Sequence, residues 1–274
     1  MEIRRFATAE EFLEATKTFR SADAVRTGLI SSIAISVANG SRSYESYFWL
    51  ALCEKDQVRG IAVRTVPYGY VFSPMSQESA QAIISFISKE DPSAREFSGP
   101  KVVIDFVEKF SKLPVVESEG ELIYENRNFR AAPSMGHIRA ATDSDYELIF
   151  NWMKAFMEET DLLPYDLDGM VRNALAKGRF HLLCMNNSPV SLGGHADLQS
   201  FEGLSVGRVG PIYTPKEFRK KGYASALTSA ITARIISQDA LPMLYTQADN
   251  PTSNKIYQEL GYTLVDENLK VKFS

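Results

Sequence analysis

Apolar and polar positions run along this chain in two series of similar order. Tyr47 to Ile87, "YFWLALCEKDQVRGIAVRTVPYGYVFSPMSQESAQAIISFI", predicts an apolar strand, a polar turn, a second strand, an aromatic strand ending in Ser-Pro, and an amphipathic helix. Phe180 to Leu198, "FHLLCMNNSPVSLGGHADL", followed at some distance by "GPIYTPKEFRKKGYASALTSAITARI", Gly210 to Ile235, repeats that order. Even "YVFSP" and "PIYTP" echo each other. The echo continues in "GPKVVIDFVEKFSKL", Gly99 to Leu113, and "NPTSNKIYQELGYTL", Asn250 to Leu264, each a Pro-entered helix with apolar residues three and four apart. The pattern describes two similarly built α/β halves; the alternative is a chance likeness between two unrelated α/β domains.

The boundary falls near "RNFRAAPSMGHIRAAT", Arg127 to Thr142, which is rich in Pro, Gly and small residues and lacks periodicity. The halves are therefore placed at 1–130 and 137–274. Beyond the boundary "IRAAT" reads as a strand. "TDSDYELIFNWMKAFMEET" reads as a helix capped by Thr142 or Asp143, with Leu148, Ile149, Trp152, Phe156 and Met157 on one face. "LDGMVRNALAKGRF" adds a further helix leading to a strand at His181.

Composition narrows the class. Hydrophobic residues at 45%, charged residues at 23% and a formal net charge of -4 over 274 residues suit a globular protein with ample core. An acidic balance argues against nucleic-acid and anionic-membrane partners. Cys53 and Cys184 lie in apolar runs and read as buried free thiols rather than a disulfide or metal ligands. The charged, helix-like N-terminus lacks a signal-peptide core and no apolar run reaches the ~18–20 residues of a membrane span, so a cytoplasmic location is expected.

One stretch carries chemistry. Arg219, Lys220, Lys221 and Gly222 form a basic turn between the strand ending near Thr214 and a helix that places Ala226, Leu227, Ala230, Ile231, Arg234 and Ile235 toward a sheet. Free N–H groups and the positive end of the dipole meet at such a helix start, which suits a phosphate. Gly222 lets the backbone approach an anion, Ala224 keeps the first turn narrow, and Ser225 offers a hydroxyl. The plain alternative is a solvated turn.

"RKKGYA" has the spacing Arg-x-x-Gly-x-Ala and resembles the acyl-CoA pyrophosphate motif of the GNAT (N-acetyltransferase) superfamily. The strand "GPIYTP" before it, the strand "MLYTQAD" after the helix, and "NPTSNKIYQELGY" extend the resemblance over about Ser205 to Val265. It implies a mixed, mainly antiparallel central sheet flanked by helices in each half, splayed in the C-terminal half to hold acyl-CoA. Pro211 would sit at the bulge beside the thioester, with Ile212, Tyr213 and Thr214 along the acyl and pantetheine portions. Arg219, Lys220, Lys221, Gly222, Tyr223, Ala224 and Ser225 would cradle the pyrophosphate. Asn250 and Asn254 would meet the pantetheine arm, although Asn250 before Pro251 is also a helix N-cap and Gly261 a helix stop.

The implied activity is acetyl-CoA-dependent N-acetylation by direct attack of a primary amine, without a metal and without a covalent acyl carrier. Tyr257 matches the general acid for the departing thiolate, its alternative being an aromatic core residue. A phenol of pKa near ~10 can serve a thiol of ~8.5 only at hydrogen-bond distance. The base is open: Glu158, Glu159 and Asp161 follow the "WMKAF" helix, and His195 lies on a strand, each with a structural alternative. The first half lacks Arg-x-x-Gly-x-Ala and is expected to wall the acceptor pocket or to mediate dimerisation. A non-catalytic acyl-CoA sensor and a nucleotide-phosphate site are the rival readings.

Overall fold

Residues 1–111, 113–160 and 166–274 are described by a computed structural model of the chain. The first series comprises β1 (Glu2–Phe6), α1 (Ala9–Ala15), α2 (Lys17–Ala22), α3 (Gly28–Ala38), β2 (Tyr47–Glu54), β3 (Gln57–Thr65), β4 (Tyr70–Phe72), α4 (Gln77–Glu90), β5 (Glu96–Pro100), α5 (Lys101–Ser111) and β6 (Val115–Glu125). The second comprises β7 (His137–Ala140), α6 (Tyr146–Glu159), α7 (Leu167–Ala176), β8 (Phe180–Met185), β9 (Ser188–His195), β10 (Gln199–Phe201), β11 (Leu204–Tyr213), α8 (Tyr223–Ile236), β12 (Ala240–Gln247), α9 (Pro251–Glu259) and β13 (Thr263–Phe273).

All strands join one sheet in the order β1-β2-β3-β4-β5-β13-β6-β12-β11-β9-β8-β7, with β10 appended to β11. Read from either end, this order places equivalent strands of the two series in equivalent positions. The pairs β4–β5 and β11–β12 are parallel and the other ladders are antiparallel. The last strand of each series is exchanged: β6 lies between β13 and β12, and β13 lies between β5 and β6. Each half thus completes its sheet with a strand from the other.

Helices cover both faces. In the first half α4 and α5 bury Ile83, Ile87, Ile104 and Val107 with Leu50, Phe97 and Val271. On the opposite face α1 and α3 bury Phe12 and Ile30 against Trp49 and Ile61. In the second half α8 and α9 pack over Val209, Leu244 and Tyr124, while α6 and α7 pack over Leu182, Cys184 and Leu192. Ala24 and Val25, between α2 and α3, reach across onto Ile123, Val206 and Met243. The N-terminal half therefore covers part of the C-terminal sheet.

The start of α6 is built as its sequence reads. Thr142 closes a capping box with Asp145, which also takes a bidentate pair from Arg139 with both contacts at 2.7 Å. The Arg139 guanidinium holds the Asp145 carboxyl down to about 2. Along α6, Ile149 is buried as expected, together with Met153, which the helical-face pattern missed. Cys53 and Cys184 are free and buried on β2 and β8, equivalent strands of the two series.

Two expectations are corrected. The N-terminus begins with a strand rather than a helix: β1 pairs with β2 from Glu2↔Cys53 to Phe6↔Trp49, and an edge position accommodates Arg4 and Arg5. Arg234 on α8 is exposed, and the buried face instead includes Thr228 and Thr232. Thr232 is tolerated because its hydroxyl meets the Thr228 carbonyl at 2.8 Å and the Tyr262 hydroxyl at 2.7 Å.

The exchange sets a test of cooperation. Residues 137–274 produced alone leave β12 and β13 without the strand between them, and are expected to aggregate or stay unfolded. Co-expression with 1–130 is expected to restore one soluble complex. Size-exclusion chromatography and circular dichroism check this; a monomeric, cooperatively melting 137–274 fragment would contradict it.

Candidate functional site

The C-terminal sheet opens between β11 and β12. Their parallel ladder runs from Ser205↔Ala240 to Arg208↔Met243 and stops, although β11 continues to Tyr213 and β12 to Gln247. Beyond that point β11 follows β9, through Ile212↔Gly193 and Tyr213↔Leu192, while β12 stays on β6 as far as Gln247↔Glu121. The register against β9 shifts between Val209 and Ile212, where Gly210 adopts φ 134 beside Pro211. Pro supplies no N–H for a ladder and such an irregularity bends a strand, so the divergence begins at Gly210-Pro211.

The equivalent place in the first half is shut. A Cβ on Gly99 would lie 2.7 Å from the Phe72 carbonyl oxygen, and one on Gly69 would lie 2.3 Å from that of Glu96. Backbone there approaches backbone, and glycine is the residue that permits it.

Just past β11 the basic turn takes shape. Lys220 and Gly222 both have positive φ, 62 and 81, and Gly222 is the N-cap of α8 without any side-chain cap. The N–H groups of Tyr223, Ala224 and Ser225 therefore point out of the helix start free of a capping side chain. A groove of about 630 Å³ opens here, lined by Lys220 and Gly222 on one side and by Thr252, Lys255, Ile256 and Glu259 of α9 on the other. Thr252, Lys255 and Ile256 escaped the sequence reading, although their spacing of three and four places them on one face of a helix. Among the described residues Lys220 and Lys221 form no ion pair; Lys221 donates to the Glu217 carbonyl at 3.3 Å.

Arg219 is committed elsewhere. Its Nε donates to the Thr214 carbonyl at 2.8 Å and its guanidinium donates to Glu159 at 2.6 Å, while it lies 5.9 Å from the Tyr213 ring centroid. The structure thus joins a pyrophosphate candidate to a base candidate. Glu158 is 4.0 Å from Lys154 on the exposed side of α6, apart from this pair. Tyr213 is buried against Trp152 and Phe156. Thr214 bonds Ser191 at 2.8 Å. His195 lies on β9 opposite Val209, its Nδ1 2.9 Å from the Ala196 carbonyl and its buried Nε2 without a partner. Asp161 lies outside the described residues.

On α9 the caps agree with their sequence signals. Asn250 Oδ1 accepts from the Ser253 N–H at 3.1 Å, Pro251 follows, and Gly261 closes the helix at φ 88. Asn254 donates to the carbonyls of Gln247 and Ala248, both at 3.3 Å, which ties α9 to the end of β12. Its Oδ1 is buried and unpaired. Tyr257 packs against Tyr124 and Tyr262, and burial pushes its phenol up to about 12. It stays protonated throughout the physiological range.

The other face of the opening was not legible as a site. Arg208 of β11 lies 6.0 Å over the Tyr245 ring of β12, and the Tyr245 hydroxyl is buried without a partner. Gln247 at the end of β12 donates to the Thr160 carbonyl at the end of α6, at 3.4 Å.

Comparisons with known proteins accord with this geometry. The FR47-like protein family matches residues 199–271, which span β10 to β13 and include the opening and the basic turn. An acetyltransferase from the GNAT family of Colwellia psychrerythraea superposes with a TM-score of 0.68 at 12% identity, covering 100% of both chains. A GCN5-related N-acetyltransferase from Sphaerobacter thermophilus gives 0.63 at 9% identity, over 98% of this chain and 94% of its own. A tandem GNAT protein from the clavulanic acid biosynthesis pathway gives 0.59 at 8% identity, over 99% and 98%. No curated protein sequence matches the chain. The fold is a GNAT fold built in two halves. Among the described residues no helix is long and apolar enough to cross a membrane, and no group of three or more His, Cys, Asp or Glu residues is placed to hold a metal.

The half-buried phenol of Tyr257 gives a measurable consequence. The folded pKa of Tyr257 exceeds the unfolded value of ~10, so its contribution to stability is full below pH ~10 and falls as pH rises toward 12, by roughly 2 kcal/mol. Tyr257→Phe is expected to remove this part of the alkaline loss and one late-ionising phenol from a titration followed at 295 nm. An unchanged titration in the variant would contradict the burial argument.

Proposed function

We propose that the C-terminal half is an acetyl-CoA-dependent N-acetyltransferase that transfers acetyl directly to a primary amine. The observation that carries this reading is the parting of β11 from β12 beyond Arg208, with the uncapped start of α8 at its mouth. A parted ladder leaves backbone N–H and C=O groups facing each other across a gap, and such groups need partners. The amides of a pantetheine arm have the right chemistry to pair with them.

In this reading the N–H groups of Tyr223, Ala224 and Ser225 donate to the pyrophosphate oxygens, while Lys220 and Lys221 supply charge. Arg219, held by Glu159 and Thr214, fixes the turn more than it binds phosphate. The unpaired Oδ1 of Asn254 offers an acceptor to the arm, and Asn250 serves as the cap of α9. Ile212 and Thr214 border the thioester, whose tetrahedral oxyanion is stabilised by main-chain N–H groups just past the bulge. The neutral phenol of Tyr257 donates to the sulfur, and its proton follows only as the C–S bond breaks. The closed first half, with Gly69 and Gly99 locking β4 to β5, is assigned a walling role.

Calorimetry and a thiol-release assay test this. Acetyl-CoA is expected to bind, the Lys220→Ala, Lys221→Ala double variant to raise Kd about tenfold or ~1.4 kcal/mol, and ATP and NAD to compete poorly. With spermidine, lysine, an N-terminal alanine peptide and benzylamine as probes, CoA release is expected for at least one. Tyr257→Phe should then lower kcat by about ten- to a hundredfold at unchanged Kd. Tight binding with no turnover on any probe would favour a sensor instead.

A further inference from the structure

The exchanged strand delivers a carboxylate to the second half. Glu121 is on β6, opposite Gln247 of β12 and Asn268 of β13. It is therefore one strand spacing, about 4.8 Å, from the strand that borders the opening. Alternation along the strands puts Glu121 and Ile123 on the face of Tyr245 and Gln247 of β12 and of Arg208 of β11, away from Tyr124, Leu244 and Val209, which pack under α8 and α9. The phosphate-binding turn and Glu121 thus lie on opposite faces of the same parted sheet. A cofactor entering from one side would meet an acceptor entering from the other.

This second face has walls. A Cβ on Gly28 of α3 would stand 3.6 Å from the Tyr245 hydroxyl, so the N-terminal half closes on that ring, and the hydroxyl beneath it has no partner. Thr160, at the end of α6, borders Gln247 on the far side. The groups that face the Glu121 carboxylate are Arg208 from β11, Tyr245 from β12, Asn268 and Lys270 from β13, and Glu119 on its own strand. Glu159 is engaged by Arg219 and Glu158 lies out by Lys154, so neither competes for this position.

We propose that Glu121, supplied by the exchanged strand of the N-terminal half, is the base that receives the proton of the acceptor ammonium. The inference rests on the acetyl-transfer reading above. The ammonium gives one proton to the Glu121 carboxylate, and the free amine attacks the thioester carbon, forming the C–N bond. As the C–S bond breaks, Tyr257 gives its proton to the thiolate and regains one from solvent, while the second ammonium-derived proton leaves the nitrogen for solvent. The sum is amide, CoA thiol and one proton released to solvent from Glu121. Burial raises the Glu121 carboxyl to about 7, against the opposing pull of Arg208, so it can both bind and release that proton near neutrality.

Glu121→Gln, an isostere that removes the charge, tests the assignment, with Glu119→Gln as control. With the best of the four probe amines, wild-type kcat/KM is expected to rise about tenfold per pH unit below 7 and then level off. Glu121→Gln should fall at least a hundredfold and lose that limb, while acetyl-CoA binds within twofold of wild type; Glu119→Gln, which removes a negative neighbour, should keep a limb that lies at lower pH than in wild type. A substrate-free readout accompanies it: because the folded value lies above the unfolded ~4.3, this group's contribution to stability is full below pH ~4.3 and is lost as pH rises through 7. Melting temperature should decline over that window in wild type more than in Glu121→Gln. Wild-type rates and limb in Glu121→Gln, or identical melting profiles, would overturn the base while leaving acetyl transfer intact. A wild type that binds no acetyl-CoA would overturn the acetyl-transfer reading and the base with it.

Discussion

The antiparallel ladder between β6 and β13 is the constraint on which the rest of the molecule depends. It runs from Thr263↔Glu125 to Phe273↔Val115, and through it the last strand of each series is built into the other. β5 then finds its partner in β13 and β12 finds its partner in β6. Without β6 and β13, β5 and β12 would each present an open edge in the middle of the protein. With them, the sheet is continuous and the two halves stabilise each other.

Continuity on the β6 side is what allows discontinuity on the β11 side. β12 is held by β6 from Met243 to Gln247, so it does not need β11 beyond Met243. β11 in turn is held by β9 after the Gly210-Pro211 irregularity. The opening is therefore a gap between two strands each fixed by an outer neighbour, which gives it rigid edges. In the first half the same position is closed by backbone contact at Gly69 and Gly99. One architecture, repeated, yields one opening, and the difference lies in glycines that permit close approach versus a glycine and a proline that interrupt a ladder.

Much of this was legible in the sequence, for local reasons. The repeat showed because equivalent strands carry equivalent burial, as with Cys53 and Cys184 on β2 and β8. The basic turn, Asn250, Pro251 and Gly261 showed because helix ends have residue-specific chemistry within a few positions. The N-terminal strand was hidden because Ile3 to Phe6 owes its conformation to pairing with β2 and not to its own charged composition. The Arg219–Glu159 pair was hidden because its members are far apart in the chain, and each alone resembled a ligand contact. The exchange was hidden for the same reason on a larger scale: "ELIYE", Glu121 to Glu125, reads as the end of the first half, yet its neighbours are β12 and β13. No periodicity reports which sheet a strand joins.

A crystal structure of the protein with CoA shows directly whether the gap between β11 and β12 holds the cofactor. The pyrophosphate is expected on the N–H groups of Tyr223 to Ser225 beside Lys220, the pantetheine arm between β11 and β12 beyond Arg208 and Met243, and no CoA between β4 and β5. A cofactor bound anywhere else, or a β11–β12 ladder that closes to its full length in the complex, would contradict that placement.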